Sequence, residues 1–180
     1  MKPKKIREVS LPPKVVFFKP QGIPLREAEI IYLTIDEYEA VRLADYKKLN
    51  HYESSKMMNI SRPTFTRLLE SAHNKISSAI VEGKAIRIEG GEFKFSGRVF
   101  QCNQCGQFQN IDEKNEKEIK LNDKYHFKEN SGESEDEKGE KINDENKKIE
   151  ICLNCNSKDL TEISADSFRR FRRGKWRNKP

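Results

Sequence analysis

The only four cysteines in this chain stand as two C-x-x-C pairs, Cys102-Asn103-Gln104-Cys105 and Cys152-Leu153-Asn154-Cys155. A C-x-x-C turn points both thiolates into one small volume. Two such turns supply the four soft ligands of a tetrahedral Zn²⁺ site, so Cys102, Cys105, Cys152 and Cys155 are the expected ligands of a structural Zn²⁺. Gly106 and Asn156 follow the pairs. Both residue types tolerate the left-handed backbone that turns amides toward sulfur. Val99-Phe100 and Ile149-Ile151 precede the pairs and read as strands, so the pattern is a strand followed by a metal-binding turn, made twice: a zinc ribbon. Iron in a rubredoxin-like site would use the same thiolates, and redox or disulfide roles are further alternatives. A disulfide needs an oxidising compartment, and no secretory signal is recognisable.

The pairs lie further apart than ribbon spacing usually allows. Residues 112–148 fill the gap with Asp, Glu, Lys, Asn, Ser and Gly. Such a composition buries too little apolar surface to offset its ordering entropy, so a disordered acidic insert is expected. Closing a longer loop costs only on the order of (3/2)RT ln n, which lets the two halves of one site tolerate the insertion.

Charge is segregated along the chain. Residues 1–98 carry 18 basic and 12 acidic side chains, residues 99–148 carry 9 and 13, and residues 149–180 carry 8 and 4. Basic ends around an acidic middle suit a polyanionic partner. The final stretch holds Arg169, Arg170, Arg172, Arg173, Lys175, Trp176 and Arg177 with no acid. Arginine forks bind phosphate and interleaved rings stack on bases, so this tail is a candidate nucleic-acid arm. No apolar run is long enough to span a bilayer, and a cytoplasmic protein is expected.

The middle of the chain reads as helices. Thr34-Ile35-Asp36-Glu37 is a capping box that opens a helix through about Lys47. A second helix covers roughly His51 to Met58, and Asn59-Ile60-Ser61 makes a tight turn. Ser61 caps a third helix with Pro63 in its first turn. Phe65, Leu68, Leu69, Ala72, Ile76, Ala79 and Ile80 form its apolar face, and Gly83 ends it. Ser61, Arg62, Pro63, Thr64, Thr66, Arg67, Ser71 and Asn74 remain on the open face. Ser55 is small where the two helices cross. This is the pattern of a DNA-binding helix-turn-helix, with Arg62 and Arg67 the best base or phosphate contacts. Lys84–Glu89 reads as a strand that turns back through Gly90-Gly91 onto Glu92–Phe95 as a hairpin.

Phe18-Lys19-Pro20-x-Gly22-x-Pro24, Leu33-Thr34-x-Asp36-Glu37-x-Glu39-Ala40-x-Arg42-Leu43-Ala44-Asp45, Ser61-Arg62-Pro63-Thr64-Phe65-x-Arg67 and Glu82-Gly83-Lys84-Ala85-x-Arg87-Ile88-Glu89-Gly90-Gly91 together resemble the "domain of unknown function 134" family. These are small prokaryotic proteins predicted to bind DNA through a helix-turn-helix similar to region four of sigma factors. The resemblance covers roughly residues 5–95. It implies DNA binding, with Arg62, Thr64, Thr66 and Arg67 at recognition-helix positions.

The expected fold is therefore a mainly α N-terminal helix-turn-helix module with short β segments at 1–98. A small β zinc ribbon follows at 99–166, interrupted by the insert, and a basic aromatic tail at 167–180. The expected function is sequence-specific DNA binding in transcription regulation, with double-stranded DNA as partner. A homodimer and contact with the transcription machinery are both plausible on this reading. RNA or ribosome binding is the rival. An enzyme is not expected, because four cysteines close a zinc shell and His51, His73 and His126 are scattered.

Overall fold

The computed structural model describes residues 6–24, 26–111 and 151–169. The acidic insert at 112–148 lies outside them, as do Arg170, Arg172, Arg173, Lys175, Trp176 and Arg177 of the tail. Among the described residues the strands are β1 (Arg7–Val9), β2 (Phe17–Phe18), β3 (Ile30–Leu33), β4 (Ala85–Ile88), β5 (Phe93–Phe95), β6 (Arg98–Cys102), β7 (Phe108–Ile111) and β8 (Leu160–Ile163). The α-helices are α1 (Ile35–Val41), α2 (His51–Met57) and α3 (Arg62–Val81); α1 runs on into a π-helical turn over Arg42–Tyr46, and residues 165–169 are helical too. None of these helices is long and apolar enough to cross a membrane.

Five of the eight strands precede residue 98, so the N-terminal part is not the mainly α module expected. The helices share it with two sheets. One is β2-β4-β3, with β4 antiparallel to β2 and parallel to β3. The other pairs β1 with β5 in parallel, setting Arg7 beside Phe93. The expected hairpin between 84–89 and 92–95 does not form. Gly90 and Gly91 both have positive φ, 81° and 84°, yet they lie across the start of α1 instead of turning the chain back. The Gly90 carbonyl accepts from Ile35 N at 3.2 Å. A Cβ on Gly91 would stand 2.5 Å from Asp36 Oδ1, so only glycine fits there.

The helix boundaries follow their caps. Glu37 Oε2 accepts from Thr34 N at 2.8 Å. Asn50 caps α2, accepting from Tyr52 N and Glu53 N at 3.0 Å, while Glu53 Oε2 accepts from Asn50 N at 3.0 Å. That is a second reciprocal cap. Asn59 takes φ 54° in the turn, and Ser61 Oγ accepts from Thr64 N at 3.3 Å to open α3. Gly83, at φ 68°, stops it.

Two apolar clusters hold these elements. One gathers Ala40, Leu43, Met58, Phe65, Leu68 and Leu69 where α1, α2 and α3 meet. The other joins Val9, Leu33, Ile35, Ala72 and Ile88 to Val99, Phe108 and Phe168. The cysteine-bearing sheet thus shares a core with α3. Phe168, read from sequence as the first ring of the tail, is core, at 3% exposure. The apolar face of α3 also ends sooner than its spacing suggests: Ile80 is 74% exposed, because the packed partners stop at Ala79.

Three carboxylates near the start of α1, on Asp36, Glu37 and Glu39, are buried. Asp36 pairs with Arg7, Glu39 takes both forks of Arg42 at 2.7 and 2.8 Å, and Glu37 accepts Lys75 Nζ at 2.7 Å and Ser71 Oγ at 2.8 Å. For Glu37, burial raises the carboxyl pKa, but the bonds from Lys75, Thr34 and Ser71 outweigh it and hold the group below its ordinary value. A depressed pKa stabilises the fold fully above the unfolded value and loses that contribution as pH falls through the folded one. Glu37→Gln should cost about 1–3 kcal/mol at neutral pH. It should also flatten the loss of stability below the ordinary carboxylate range, read by denaturant melts from pH 7 to pH 3.

Candidate metal centre and candidate nucleic-acid interface

The cysteine sheet has the order β7-β6-β8, with both pairings antiparallel. Cys102 ends β6, and the first C-x-x-C turn leads into β7. The second turn precedes β8; Ile151 just before it sits in a bend, and residues 149–150 lie outside the described set. The expected strand before the first pair is β6, and the one expected over Ile149–Ile151 lies mostly outside the described residues.

The two turns repeat one backbone design. Cys102 N donates to Gln107 O at 2.9 Å and Gly106 N to Cys102 O at 2.9 Å. Cys152 N donates to Ser157 O at 2.7 Å and Asn156 N to Cys152 O at 2.8 Å. The residue four after each first cysteine has positive φ, 71° at Gly106 and 57° at Asn156. Amides then face the sulfurs, with Cys105 N 3.5 Å from Cys102 Sγ and Asn154 N 3.4 Å from Cys152 Sγ.

All four Sγ atoms lie within 4.8 Å of one another. A tetrahedron with metal–sulfur bonds of about 2.3 Å has edges of about 3.8 Å, so the set is compatible with one metal ion. The shortest separations, 3.5 Å for Cys102–Cys155 and 3.6 Å for Cys105–Cys152, run between the turns and are too long for disulfides. Thiols this close titrate as a set. A hydrogen bond from the Gln107 backbone draws Cys105 down to about 6. Cys155 receives a lowering bond from Ser157, but burial and the three neighbouring thiols push it up to about 12. A divalent cation held by these four residues would replace the shared protons and let all four sulfurs act as thiolates.

Gln109 locks the second turn to the sheet. Its amide nitrogen donates to Ile151 O at 3.3 Å and its oxygen accepts from Leu153 N at 3.1 Å. Asn103 ties the first turn to the other edge, donating to Asp159 Oδ1 at 2.7 Å and to Thr161 Oγ1 of β8 at 3.0 Å. Neither residue stood out in the sequence. Their roles depend on strand register, which composition does not carry.

The start of α3 gives a second group of candidates. Ser61, Arg62, Pro63, Thr64, Thr66, Arg67 and Asn74 are exposed, while Phe65, Leu68, Leu69 and Ala72 are buried behind them. Ser71 is drawn away from this face to Glu37. Thr66 Oγ1 bonds Arg62 O at 3.1 Å and His51 Nδ1 at 3.0 Å, so α2 helps orient it. A cleft of about 420 Å³ opens between α2 and α3, with Tyr52, Lys56, Asn59 and Arg62 in its wall. Lys56 lies 5.4 Å over the Tyr52 ring. Both α2 residues belong on the candidate surface, and their i, i+4 spacing was the available signal. Arg169 is elsewhere: its guanidinium donates to Phe93 O at 2.8 Å and stacks 4.7 Å from the Phe93 ring.

The backbone repeat makes the turn residues testable. Gly106→Ala and Asn156→Ala should each destabilise the cysteine sheet by about 1–2 kcal/mol, because a side chain other than Asn strains the left-handed conformation. Asn156→Gly should be tolerated. Chelator competition on the metal-loaded variants would rank them.

Among curated proteins the chain is 49% identical over 108 residues to a "UPF0251 protein" of Chloroherpeton thalassium, covering 60% of this chain and 72% of that protein. It is 50% identical over 96 residues to a UPF0251 protein of Caldanaerobacter subterraneus, covering 53% of this chain and 81% of the relative. A UPF0251 protein of Halothermothrix orenii is 44% identical over 105 residues, 58% of this chain and 78% of its own. No solved structure matches. The family described as "Protein of unknown function DUF134" matches residues 1–96, a span that ends before the first cysteine. The chain, from its buried α1 carboxylates to Gly91, belongs to that family.

Proposed function

We propose that this protein is a sequence-specific DNA-binding protein acting in transcription, with α3 as the recognition helix and a structural Zn²⁺ on the four cysteines. The observation that carries the reading is the start of α3. Its buried face is fixed by Phe65, Leu68 and Leu69, and its open face presents Arg62, Thr64, Thr66 and Arg67 with no acid before Glu70. α2 and α3 meet through the four residues 58–61, with Asn59 at positive φ, the arrangement of a helix-turn-helix. Guanidinium forks on a rigid, capped helix suit bidentate contact with guanine O6 and N7. Ser61 and the first amides of α3 suit a phosphate.

Four buried or half-buried thiols around one centre suit a closed tetrahedral shell, and zinc is the metal that most commonly uses it. Such a site contributes folding free energy and keeps no open position for chemistry. The two turns with their three strands then form a zinc ribbon seated on the helical part. One recognition helix reads few bases, so a two-fold dimer on paired half-sites belongs to the same proposal.

Metal analysis should give one zinc per chain, lost on Cys105→Ser or Cys155→Ser. Selection from a random duplex library should return a consensus. On that duplex Arg62→Ala or Arg67→Ala should cost about 1–3 kcal/mol, with a much smaller loss on mixed-sequence DNA. Equal losses on both duplexes would remove α3 as the reading element.

A further inference from the structure

Residues 7–14 run as a strap from the α2–α3 turn to the cysteine sheet, bonded at both ends. At the helical end, Glu8 N donates to Met58 O at 3.1 Å, and the Glu8 carboxylate accepts from Asn59 Nδ2 at 3.0 Å. Met58 and Asn59 are the residues that set how α3 leaves α2. The same carboxylate pairs with Lys94 of β5 at 3.1 Å. In the middle, Val9 is fully buried, and Ser10 N donates to Glu39 Oε1 at 3.0 Å. At the cysteine end, Asn110 Nδ2 donates to Ser10 O at 2.7 Å. Lys14 Nζ donates to Gln107 Oε1 at 3.0 Å.

One anchor at that end touches the cysteines directly and the other through its neighbour. Gln107 O accepts from Cys102 N, and the Gln107 backbone bonds the Cys105 sulfur. Asn110 neighbours Gln109, whose side chain seats the second turn on both sides of Cys152. β7 therefore has one residue facing the second turn and the next facing the strap. If Cys152 and Cys155 leave the centre, Gln109 loses its two partners and β7 is left with its ladder to β6 alone. That loosens the hold of Asn110 and Gln107 on the strap, whose other end meets the α2–α3 turn through the bonds of Glu8 to Met58 and Asn59.

We propose that this strap couples the cysteine site to the α2–α3 turn, so that metal occupancy sets DNA affinity, with Glu8 and Asn110 as positioning residues. The inference rests on the DNA-binding reading above and adds regulation to it. The coupling is physical in a restricted sense: a contiguous run of bonds joins the two regions.

The test uses the full chain loaded with zinc, then stripped with a chelator, on a duplex selected by the loaded protein. Two readouts are followed: duplex affinity and hydrogen exchange of the Glu8 amide. Stripping should weaken binding of the wild type by about 5- to 150-fold, the usual span of allosteric coupling, and speed exchange at Glu8. Asn110→Ala should keep its zinc, exchange quickly at Glu8 whether loaded or stripped, and show a much smaller dependence of affinity on metal. Glu8→Ala should also lose that dependence while retaining the Asn110 contact. The proposal fails if stripping speeds exchange at Cys102 and Cys152 but leaves the Glu8 amide and the affinity unchanged. It fails equally if Asn110→Ala keeps the full metal dependence. A loaded wild type that binds no duplex would overturn the DNA reading instead, and exchange at Glu8 would still decide whether the strap couples the two regions.

Discussion

Three carboxylates buried near the start of one helix are costly unless each is met by a cation or by good donors. Asp36, Glu37 and Glu39 are met from three directions: Arg7 on β1, Lys75 on α3, and Arg42 in the π-helical turn with Ser10 N beside it. Each pairing draws another element onto α1. The Arg7 pair requires β1 to lie along β5. The Lys75 pair fixes the rotation of α3, and with it the direction in which Arg62 and Arg67 project. The buried charges thus specify the arrangement, while the two apolar clusters supply most of the favourable burial.

This also explains why Ser71 differs from its neighbours. Its position on the helical wheel groups it with Arg67 and Asn74. Glu37 captures its hydroxyl, and so a residue counted on the open face serves the electrostatic hub. Gly91 serves the same hub by absence, since its missing side chain leaves space for the Asp36 carboxylate.

Local signals in the sequence carried well. The caps at Thr34 and Ser61, the positive-φ turn at Asn59 and the two cysteine turns depend on residues within five positions of each other, and the structure forms them all. Pairing between distant segments did not carry. β1 and β5 are three residues each and carry no periodicity, so their parallel match was invisible, and a Gly-Gly pair with hairpin character went to a helix start instead. β8 lies after the second cysteine turn, in a stretch whose exposed Thr161 and Glu162 give it no apolar alternation. Phe168 sat among arginines and read as tail, although its ring is the one that closes the core against Phe95 and Phe108.

The parallel match of β1 with β5 imposes an order on synthesis. Arg7 leaves the ribosome early, but its strand partner Phe93 and the rest of β5 follow more than eighty residues later. Until then the strap has neither its ladder nor its anchor at Asn110. The helices can form and pack first, since their contacts are local. The strap is thus made before β5 but seated only after it, and the cysteine centre closes only when Cys152 and Cys155 have emerged. A nascent chain spends that interval with the α2–α3 turn built but not yet braced.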